Sequence, residues 1–331
     1  MLTPQILYVE LNERCNLRCE HCEFWKHDRQ LGMDDALLRQ IVQEFSAMGG
    51  KTVVTCGGEA SLEGYRFWNL HAAARACGLN SFSVTNGTRI TPSNAIRWAT
   101  AGPSEITVSL DSHDRTLHDQ WRGVPNWQVA VRALRLLLAE RISSDPRVYA
   151  MTIVAERNYR DLPRLYDLVL GDIKADKLKL NIAQPTFGYT KDDQWFADNC
   201  VKDPDALIMV IEACDKEWGI QRNPQWMKDV HMYCTSVLAN GDAASGRRGT
   251  GETERNICNS GDRNIWLSWK GTGRLCPSAV FPGRRIKSGA DLRDLWETAT
   301  WRGEMRVCRR YCGISHSVRR EPATLRASHG Q

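Results

Sequence analysis

Short segments that are almost continuously apolar or β-branched alternate with amphipathic segments through the first half of the chain. The apolar segments are ILYVELN (6–12), KTVVTC (51–56), NSFSVTN (80–86), EITVSL (105–110), VYAMTIV (148–154) and KLKLNI (177–182). They predict six strands, and an apolar spacing of about 3.6 residues between them, as in DLPRLYDLVLG (161–171), predicts helices. Near-continuously apolar strands covered by helices are typical of a parallel sheet. The pattern therefore predicts an α/β fold, a curved parallel sheet or partial barrel whose functional edge lies at the carboxyl ends of its strands.

The pattern changes after about residue 190. The segment PDALIMVIEACDKEWG (204–219) predicts a helix, and GDAASGRRGTGETER (241–255) predicts a flexible loop. IWLSW, KGTG and RLCP, between positions 265 and 277, predict a β-hairpin with a glycine-bearing turn. The expected divisions are a core at 1–190, a helical connection with a flexible loop at 191–255, a small α+β cysteine-rich module at 256–316 and a disordered basic tail at 317–331.

The composition describes an ordinary globular protein. The chain has 331 residues, of which 42% are apolar and 25% are charged, and its formal net charge is +5. No apolar run reaches the roughly 18 residues of a membrane span. The N-terminus lacks the pattern of a secretion signal, so we expect a cytoplasmic protein without a membrane or nucleic-acid partner. In such a chain, twelve cysteines are more typical of metal ligands than of disulfides.

Three cysteines are crowded into CNLRCEHC (15–22), directly after the first predicted strand. Thiolates are soft ligands that bind zinc, copper(I) or iron–sulfur clusters. A structural zinc site is closed by four ligands, and His21 or His27 would be the fourth. An iron–sulfur cube held by three thiolates would instead leave one iron open. The C-x3-C-x2-C spacing favours the cube, and zinc remains the alternative.

Four motifs in order, each at the end of a predicted strand, identify a resemblance. CNLRCEHC follows the first strand and CGGEA (56–60) the second, while SVTNGT (83–88) and SLDSHDRTLHDQWRG (109–123) follow the third and fourth. Together they resemble the radical S-adenosylmethionine (SAM) superfamily over roughly residues 5–185. The resemblance implies a partial (β/α)6 barrel of parallel strands.

The resemblance also implies a cofactor set. Cys15, Cys19 and Cys22 would hold a 4Fe–4S cluster whose open iron is chelated by the amino and carboxylate groups of SAM. One-electron reduction would release a 5′-deoxyadenosyl radical, which takes hydrogen from an unactivated carbon. The residues implied to bind SAM, two glycines that allow close approach and five polar residues, are Gly57, Gly58, Glu59, Asn86, Ser109, Asp111 and Arg122.

Three of the polar candidates also have a plainer interpretation. Glu59 would accept hydrogen bonds from the methionyl ammonium, or be a solvated loop carboxylate. Asp111 would contact the cofactor or cap the following helix. Arg122 would pair with the cofactor carboxylate, or form a surface salt bridge. Phe24 or Trp25 would flank the adenine.

A second set of cysteines, Cys258, Cys276, Cys308 and Cys312, lies in the C-terminal module. This set resembles the twitch module, a shortened SPASM extension, and the resemblance implies a second, auxiliary 4Fe–4S cluster. Structural zinc is the alternative. Cys234, just before this set, would be a catalytic hydrogen-atom donor in an epimerase, or a plain buried cysteine.

The expected function is a radical SAM enzyme that abstracts hydrogen from a natural-product small molecule of carbohydrate or cyclitol type, or from a peptide. Epimerisation and two-electron dehydrogenation are the expected outcomes. The first strand starts close to residue 1, which tilts this expectation towards small molecules. A cross-linking ribosomal-peptide maturase and a non-catalytic zinc-binding regulator are the alternatives. The enzyme would need an external one-electron reductant such as flavodoxin or ferredoxin.

Overall fold

The computed structural model describes residues 2–30, 32–184, 193–240, 256–258, 260–276, 281–306 and 320–322. The strands are β1 (Ile6–Glu13), β2 (Arg29–Gln30), β3 (Thr52–Gly57), β4 (Asn80–Thr85), β5 (Glu105–Ser109), β6 (Arg147–Val154), β7 (Lys177–Ile182), β8 (Asn256–Cys258), β9 (Asn264–Leu267), β10 (Thr272–Arg274), β11 (Arg284–Arg285) and β12 (Arg320–Pro322). The helices are α1 (Asp35–Ala47), α2 (Tyr65–Ala76), α3 (Ala95–Ala101), α4 (Arg115–Arg122), α5 (Trp127–Glu140), α6 (Leu162–Tyr166), α7 (Asp193–Asn199), α8 (Pro204–Glu217), α9 (Pro224–Asn240), α10 (Ser260–Arg263), α11 (Gly289–Thr298) and α12 (Arg302–Arg306).

Six parallel strands form the centre of the molecule, in the order β1-β3-β4-β5-β6-β7. These are the six strands predicted from the sequence, and each boundary lies within one residue of its prediction. Helices separate them along the chain, as a parallel arrangement requires. The predicted α/β fold with a partial-barrel sheet is therefore confirmed.

Side-chain caps explain where several helices begin. Asp34 accepts a hydrogen bond from Leu37 N before α1, and Asp203 accepts one from Ala206 N before α8. The carboxylate of Asp114 does the same for α4, so this residue, and not Asp111, caps the helix after β5. Such caps satisfy backbone N–H groups that have no partner inside the helix.

The core lies mainly between the sheet and the helices that cover it. Its largest fully buried side chains include Phe45 of α1, Phe67 of α2 and Trp98 of α3. Among the helices that the structure describes, none combines the length and apolar character needed to cross a membrane.

The predicted C-terminal hairpin extends the central sheet. Strands β9 and β10 pair antiparallel, and β9 pairs in parallel with β1, with Ile6 opposite Asn264 and Val9 opposite Leu267. Helix α11 packs on α1, and Trp296 donates a hydrogen bond to the carbonyl of Leu2 at 2.9 Å. This part of the expected cysteine-rich module is thus continuous with the barrel sheet.

Two expectations need correction. The amphipathic segment 161–171 predicts one α-helix, but α6 ends at Tyr166 and a π-helix follows over Asp167–Asp172. Residues 320–322 fall within the expected disordered tail, yet they form β12, antiparallel to β8, because a short strand needs only a backbone partner. The loop expected at 241–255, the rest of the tail, Cys308 and Cys312 lie outside the described residues.

Candidate active site

The three-cysteine loop lies at the carboxyl end of β1 and borders a cavity of about 350 Å³. Cys15, Cys19 and Cys22 all line this cavity; Cys19 is buried and the other two are half-buried. The indole N–H of Trp25 donates to the carbonyl of Cys19 at 3.2 Å, whereas Phe24 lines the cavity. The loop therefore presents three thiols from one short segment to one space.

Burial controls the protonation of these thiols. It raises the pKa of Cys15 to about 12 and that of Cys22 to about 11. Burial also raises the pKa of Cys19, while the neighbouring Arg122 acts in the opposite direction. The bare thiols are therefore protonated at neutral pH, and a metal group that binds them as thiolates must displace three protons.

The loop after β3 is fixed against the start of the cysteine loop by backbone contacts. Gly58 N donates to Asn12 O at 3.1 Å, and Glu59 N donates to Arg14 O at 2.9 Å. A Cβ atom on Gly58 would lie 2.0 Å from Arg14 O, and one on Gly57, where φ is +111°, would lie 2.2 Å from Asn12 O. Both glycines are therefore required by a close approach between two backbone segments.

Glu59 is buried with a relative exposure of 2%, so the solvated alternative is wrong for this residue. One carboxylate oxygen accepts hydrogen bonds from Ser61 Oγ at 2.6 Å and Thr85 Oγ1 at 2.9 Å, and the other accepts from Asn86 N at 2.8 Å. Burial raises its pKa although these hydrogen bonds oppose the shift. Glu59 lines the cavity and joins the ends of β3 and β4.

Asn86 connects the end of β4 to the cysteine loop. Its side-chain amide donates to Asn16 Oδ1 at 2.9 Å and contacts Cys15 Sγ at 3.8 Å. Its amide oxygen accepts from Thr88 N at 2.9 Å. The side chain thus orders the loop as well as lining the cavity.

The end of α4 supports the same loop from the other side. Arg18 N donates to Arg122 O at 3.0 Å, and Glu20 N donates to Trp121 O at 3.0 Å. Gly123 has φ of +69°, and a Cβ there would lie 2.2 Å from Arg18 O. The Arg-Gly pair of the fourth motif therefore allows helix and loop to touch.

The guanidinium of Arg122 is buried beside Cys19. Nη2 lies 2.6 Å from Asp111 Oδ2, and Nη1 lies 3.8 Å from Cys19 Sγ. The surface salt bridge considered for Arg122 is excluded because only 9% of its side chain is exposed. Asp111 is fully buried behind this contact, and its Oδ1 accepts from Ile153 N at 3.0 Å. Ser109 lines the cavity, but Asp111 is not among the lining residues.

The cavity wall also contains residues that the sequence patterns did not single out. Tyr8 and Trp266 stack with their ring centroids 3.7 Å apart. Lys179 Nζ lies 2.6 Å from Glu105 Oε1 and 4.2 Å from the ring centroid of Phe82. The only signal for Lys179 is its alternation with apolar residues in KLKLNI, which does not tell which face points into a barrel.

Cys234 is not brought to this cavity. It lies in α9 with a relative exposure of 4%, packs in the apolar core and is not among the cavity-lining residues. Burial raises its pKa to about 12, and Cys200 adds to the shift. Of the second cysteine set, Cys276 is buried after β10, and Cys258 ends β8. The roles assigned to these cysteines remain predictions.

The donor set fits an iron–sulfur cluster. Three soft sulfur ligands face one space, and N–H groups of Asn86 and Arg122 point at two of the sulfurs, an arrangement that stabilises sulfur-bound clusters. Among the described residues, no group of three or more His, Cys, Asp or Glu side chains is arranged to hold a single metal ion.

Comparisons with known proteins agree with this geometry. Residues 9–169 match the model of the Radical SAM superfamily. Mycofactocin maturase MftC of Mycobacterium tuberculosis is 25% identical over 307 residues, which cover 92% of this chain and 73% of that protein. The AdoMet-dependent heme synthase of Nitratidesulfovibrio vulgaris is 31% identical over 127 residues, but the match spans only 34% of that protein's length.

Solved structures share the fold. SuiB of Streptococcus suis bound to S-adenosylmethionine has a TM-score of 0.68 and 16% identity, with 92% of this chain and 68% of that chain covered. Native anSMEcpe with bound AdoMet and a Cp18Cys peptide has a TM-score of 0.62 and 17% identity, with coverages of 92% and 82%. At these identities the likeness concerns the fold alone.

Proposed function

We propose that the protein is a radical SAM enzyme that abstracts hydrogen from a carbon of a peptide substrate. The match of residues 9–169 to the model of the Radical SAM superfamily supports this proposal. When bound, a 4Fe–4S cluster with SAM supplies a 5′-deoxyadenosyl radical after one-electron reduction. The observation that carries the proposal is the convergence of three thiols from one loop on a cavity at the carboxyl ends of parallel strands.

The chain's own residues would bind and order the cofactors. Cys15, Cys19 and Cys22 would hold the cluster. Glu59 and Arg122 offer a carboxylate and a guanidinium that line the cavity and match the ammonium and carboxylate of an amino acid. Their hydrogen bonds to Thr85, Asn86 and Asp111 hold both groups in place before any ligand arrives.

The remaining predicted residues would shape the cavity or hold other side chains in position. Gly57 and Gly58 allow the backbone contact that fixes the cavity wall, and Ser109 contributes a hydroxyl to it. Asn86 would keep the cysteine loop in place through Asn16. Asp111 would act through Arg122, since its carboxylate is bonded to that guanidinium.

A peptide is favoured as the substrate class over the small molecule expected from the sequence. The support is the match to a mycofactocin maturase, which spans most of both chains. The cavity wall formed by Tyr8, Trp266, Phe82 and Lys179 would contact the substrate through aromatic surface and one cation. Epimerisation, dehydrogenation and cross-link formation are all compatible with this wall, and a carbohydrate or cyclitol is the second candidate.

An auxiliary 4Fe–4S cluster bound by Cys258, Cys276, Cys308 and Cys312 is part of the proposal. Its test is iron and sulfide analysis of the variant in which Cys15, Cys19 and Cys22 are all replaced by Ala. About four iron per chain would remain if the second cluster exists. Iron near zero in that variant, or one zinc per chain, would contradict it.

The proposed activity is tested by anaerobic reconstitution and reduction with dithionite in the presence of SAM. Methionine and 5′-deoxyadenosine should form in equal amounts, and a Cys19→Ala variant with unchanged circular dichroism should form neither. A matched control is Cys77→Ala, a half-buried cysteine at the end of α2. Stoichiometric zinc without iron in the wild-type protein would contradict the proposal and would favour the alternative of a non-catalytic zinc-binding regulator.

The substrate class is tested with perdeuterated candidate peptides, which are chosen from short reading frames next to the gene. Deuterium should appear in 5′-deoxyadenosine if the enzyme abstracts from the peptide. Cys234→Ala separates the outcomes, because loss of an inverted centre with retained deuterium transfer would assign this thiol as hydrogen donor. Unchanged inversion would remove that role.

A further inference from the structure

Arg122 and Asp111 form a buried ion pair, and the guanidinium of this pair contacts the sulfur of Cys19. Asp111 Oδ2 lies 2.6 Å from Arg122 Nη2, and Arg122 Nη1 lies 3.8 Å from Cys19 Sγ. The side chains of Asp111 and Arg122 are 0% and 9% exposed. The cation is therefore between the anion and the sulfur, and water screens neither charge well.

Neighbouring titratable groups leave this arrangement intact at neutral pH. His118 Nδ1 accepts a hydrogen bond from the backbone N–H of Asp111 at 3.1 Å, so this nitrogen carries no proton. Burial lowers the pKa of His118 to about 4, which keeps its ring neutral. Arg122 and Asp111 are the charged residues with the largest electrostatic effect on Cys19, and they act on its pKa in opposite directions.

A charge beside a cluster ligand changes how readily the cluster accepts an electron. Reduction adds one negative charge to the cluster and its thiolates, with no bond broken, as one electron passes from an external reductant. A cation near a ligand sulfur stabilises the reduced form, and an anion destabilises it. Because the cation of Arg122 contacts Cys19 Sγ and the anion of Asp111 lies next to that cation, the two residues should act with opposite signs.

We propose that the Arg122–Asp111 pair sets the reduction potential of the cluster held by the cysteine loop, with Arg122 raising the potential and Asp111 lowering it. Both act as positioning residues with an electrostatic effect, before and apart from any contact with SAM. The inference rests on the proposed function in one respect, namely that the three thiols hold an iron–sulfur cluster.

The test is an anaerobic redox titration of the reconstituted protein without SAM, with the reduced cluster followed by electron paramagnetic resonance. To keep a second cluster from contributing, all variants are made in a background where Cys276 is Ala. Arg122→Met should lower the reduction equilibrium constant at least tenfold, which is about 59 mV for one electron. Asp111→Asn should raise it at least tenfold.

Further variants separate electrostatics from packing. The double variant Arg122→Met with Asp111→Asn, which contains neither charge, should return to within about threefold of the parent. Arg122→Lys keeps the cation and should shift less than Arg122→Met. Arg115→Met removes an exposed cation from the same helix, where 55% of the side chain is in water, and should leave the potential unchanged.

The outcomes distinguish this inference from the proposed function. A wild-type chain that assembles no cluster would overturn both. A cluster whose potential does not move in Asp111→Asn, or moves down, would overturn the inference alone. If Arg122→Met does not fold, Arg122→Lys and Asp111→Asn still decide it, because a purely structural pair would give shifts of one sign.

Discussion

The rim at the carboxyl ends of the strands and the layer between the sheet and its helices are both buried, but they are built from different interactions. In the rim, Glu59, Asp111 and Arg122 are charged side chains with less than a tenth of their surface exposed. In the helix-covered layer, the buried residues are mostly apolar, as in Phe45 and Leu134. The stability of the rim depends on directed hydrogen bonds and ion pairs. The stability of the helix-covered layer depends on how well apolar side chains fill its volume and on the apolar area that they bury.

This difference determines what can be inferred from the sequence of each region. Apolar layers accept one residue of similar size for another, so their sequence indicates a fold class and little else. A buried charge is costly unless its partners are placed correctly, so each rim residue indicates a specific contact. Chemistry is therefore inferred from the rim and architecture from the layer.

The largest expected effect comes from a pair of glycines with the same backbone conformation. Gly123 has φ of +69° and contacts Arg18, while Gly78 has φ of +67° and a Cβ atom there would meet nothing within 4 Å. Gly78→Ala should cost about 1 to 2 kcal/mol for the left-handed backbone alone. Gly123→Ala should cost about 2 kcal/mol more, because the methyl group meets a carbonyl oxygen.

Urea unfolding of both variants measures this difference in the free energy of unfolding. Gly123→Ala should also lose cluster assembly, while Gly78→Ala keeps it. Equal losses of stability in the two variants would mean that the contact between α4 and the cysteine loop is not tight.

The next effect concerns the buried carboxylate of the rim. Glu59→Gln replaces an oxygen that accepts hydrogen bonds by an NH2 group, so one of its donors from Ser61, Thr85 or Asn86 loses its acceptor. We expect a loss of about 2 kcal/mol in the free energy of unfolding. Glu44→Gln, whose carboxylate pairs with Arg293 near the surface, should lose less than about 1 kcal/mol. Equal losses would indicate that the Glu59 network adds no stability.

The smallest expected effect is a pH dependence of stability that comes from a buried histidine in the helix-covered layer. His71 of α2 is fully buried against Phe67, with ring centroids 4.5 Å apart, and burial lowers its pKa from 6.5 to about 3. The folded state keeps the ring neutral, so its contribution is present above pH 6.5 and is lost as the pH falls towards 3. When the pH is lowered from 7.5 to 5.5, this residue should reduce the free energy of unfolding by about 1.4 kcal/mol.

His71→Leu removes the titrating ring at similar volume. The free energy of unfolding of the variant should fall less than that of the wild type between these two pH values. An unchanged pH dependence would show that His71 is protonated in the folded state or is open to solvent.

The sequence predicted the layered part of the molecule well. Strand boundaries followed the apolar segments because burial on both faces leaves a clear pattern, and the four motifs marked the loops that converge on the cavity. Gly57, Gly58 and Glu59 line that cavity, as their place after the second predicted strand implied.

The features that could not be predicted from the sequence depend on contacts between residues that are far apart along the chain. The need for Gly123 arises from Arg18, more than a hundred residues earlier in the chain. The attachment of β9 to β1 and the inward direction of Lys179 depend on how the sheet curves. Cys234 does not line the cavity because the packing of α9 buries it in the apolar core, and the sequence pattern of this segment is ambiguous about the element it forms.

The central claim is that Cys15, Cys19 and Cys22 hold a cluster with an iron open to SAM. The most direct measurement is the electron paramagnetic resonance spectrum of the reduced protein, in the Cys276→Ala background, before and after addition of SAM. We expect a signal from a reduced 4Fe–4S cluster whose g values shift when SAM binds. No cluster signal, or a signal that SAM leaves unchanged, would contradict it.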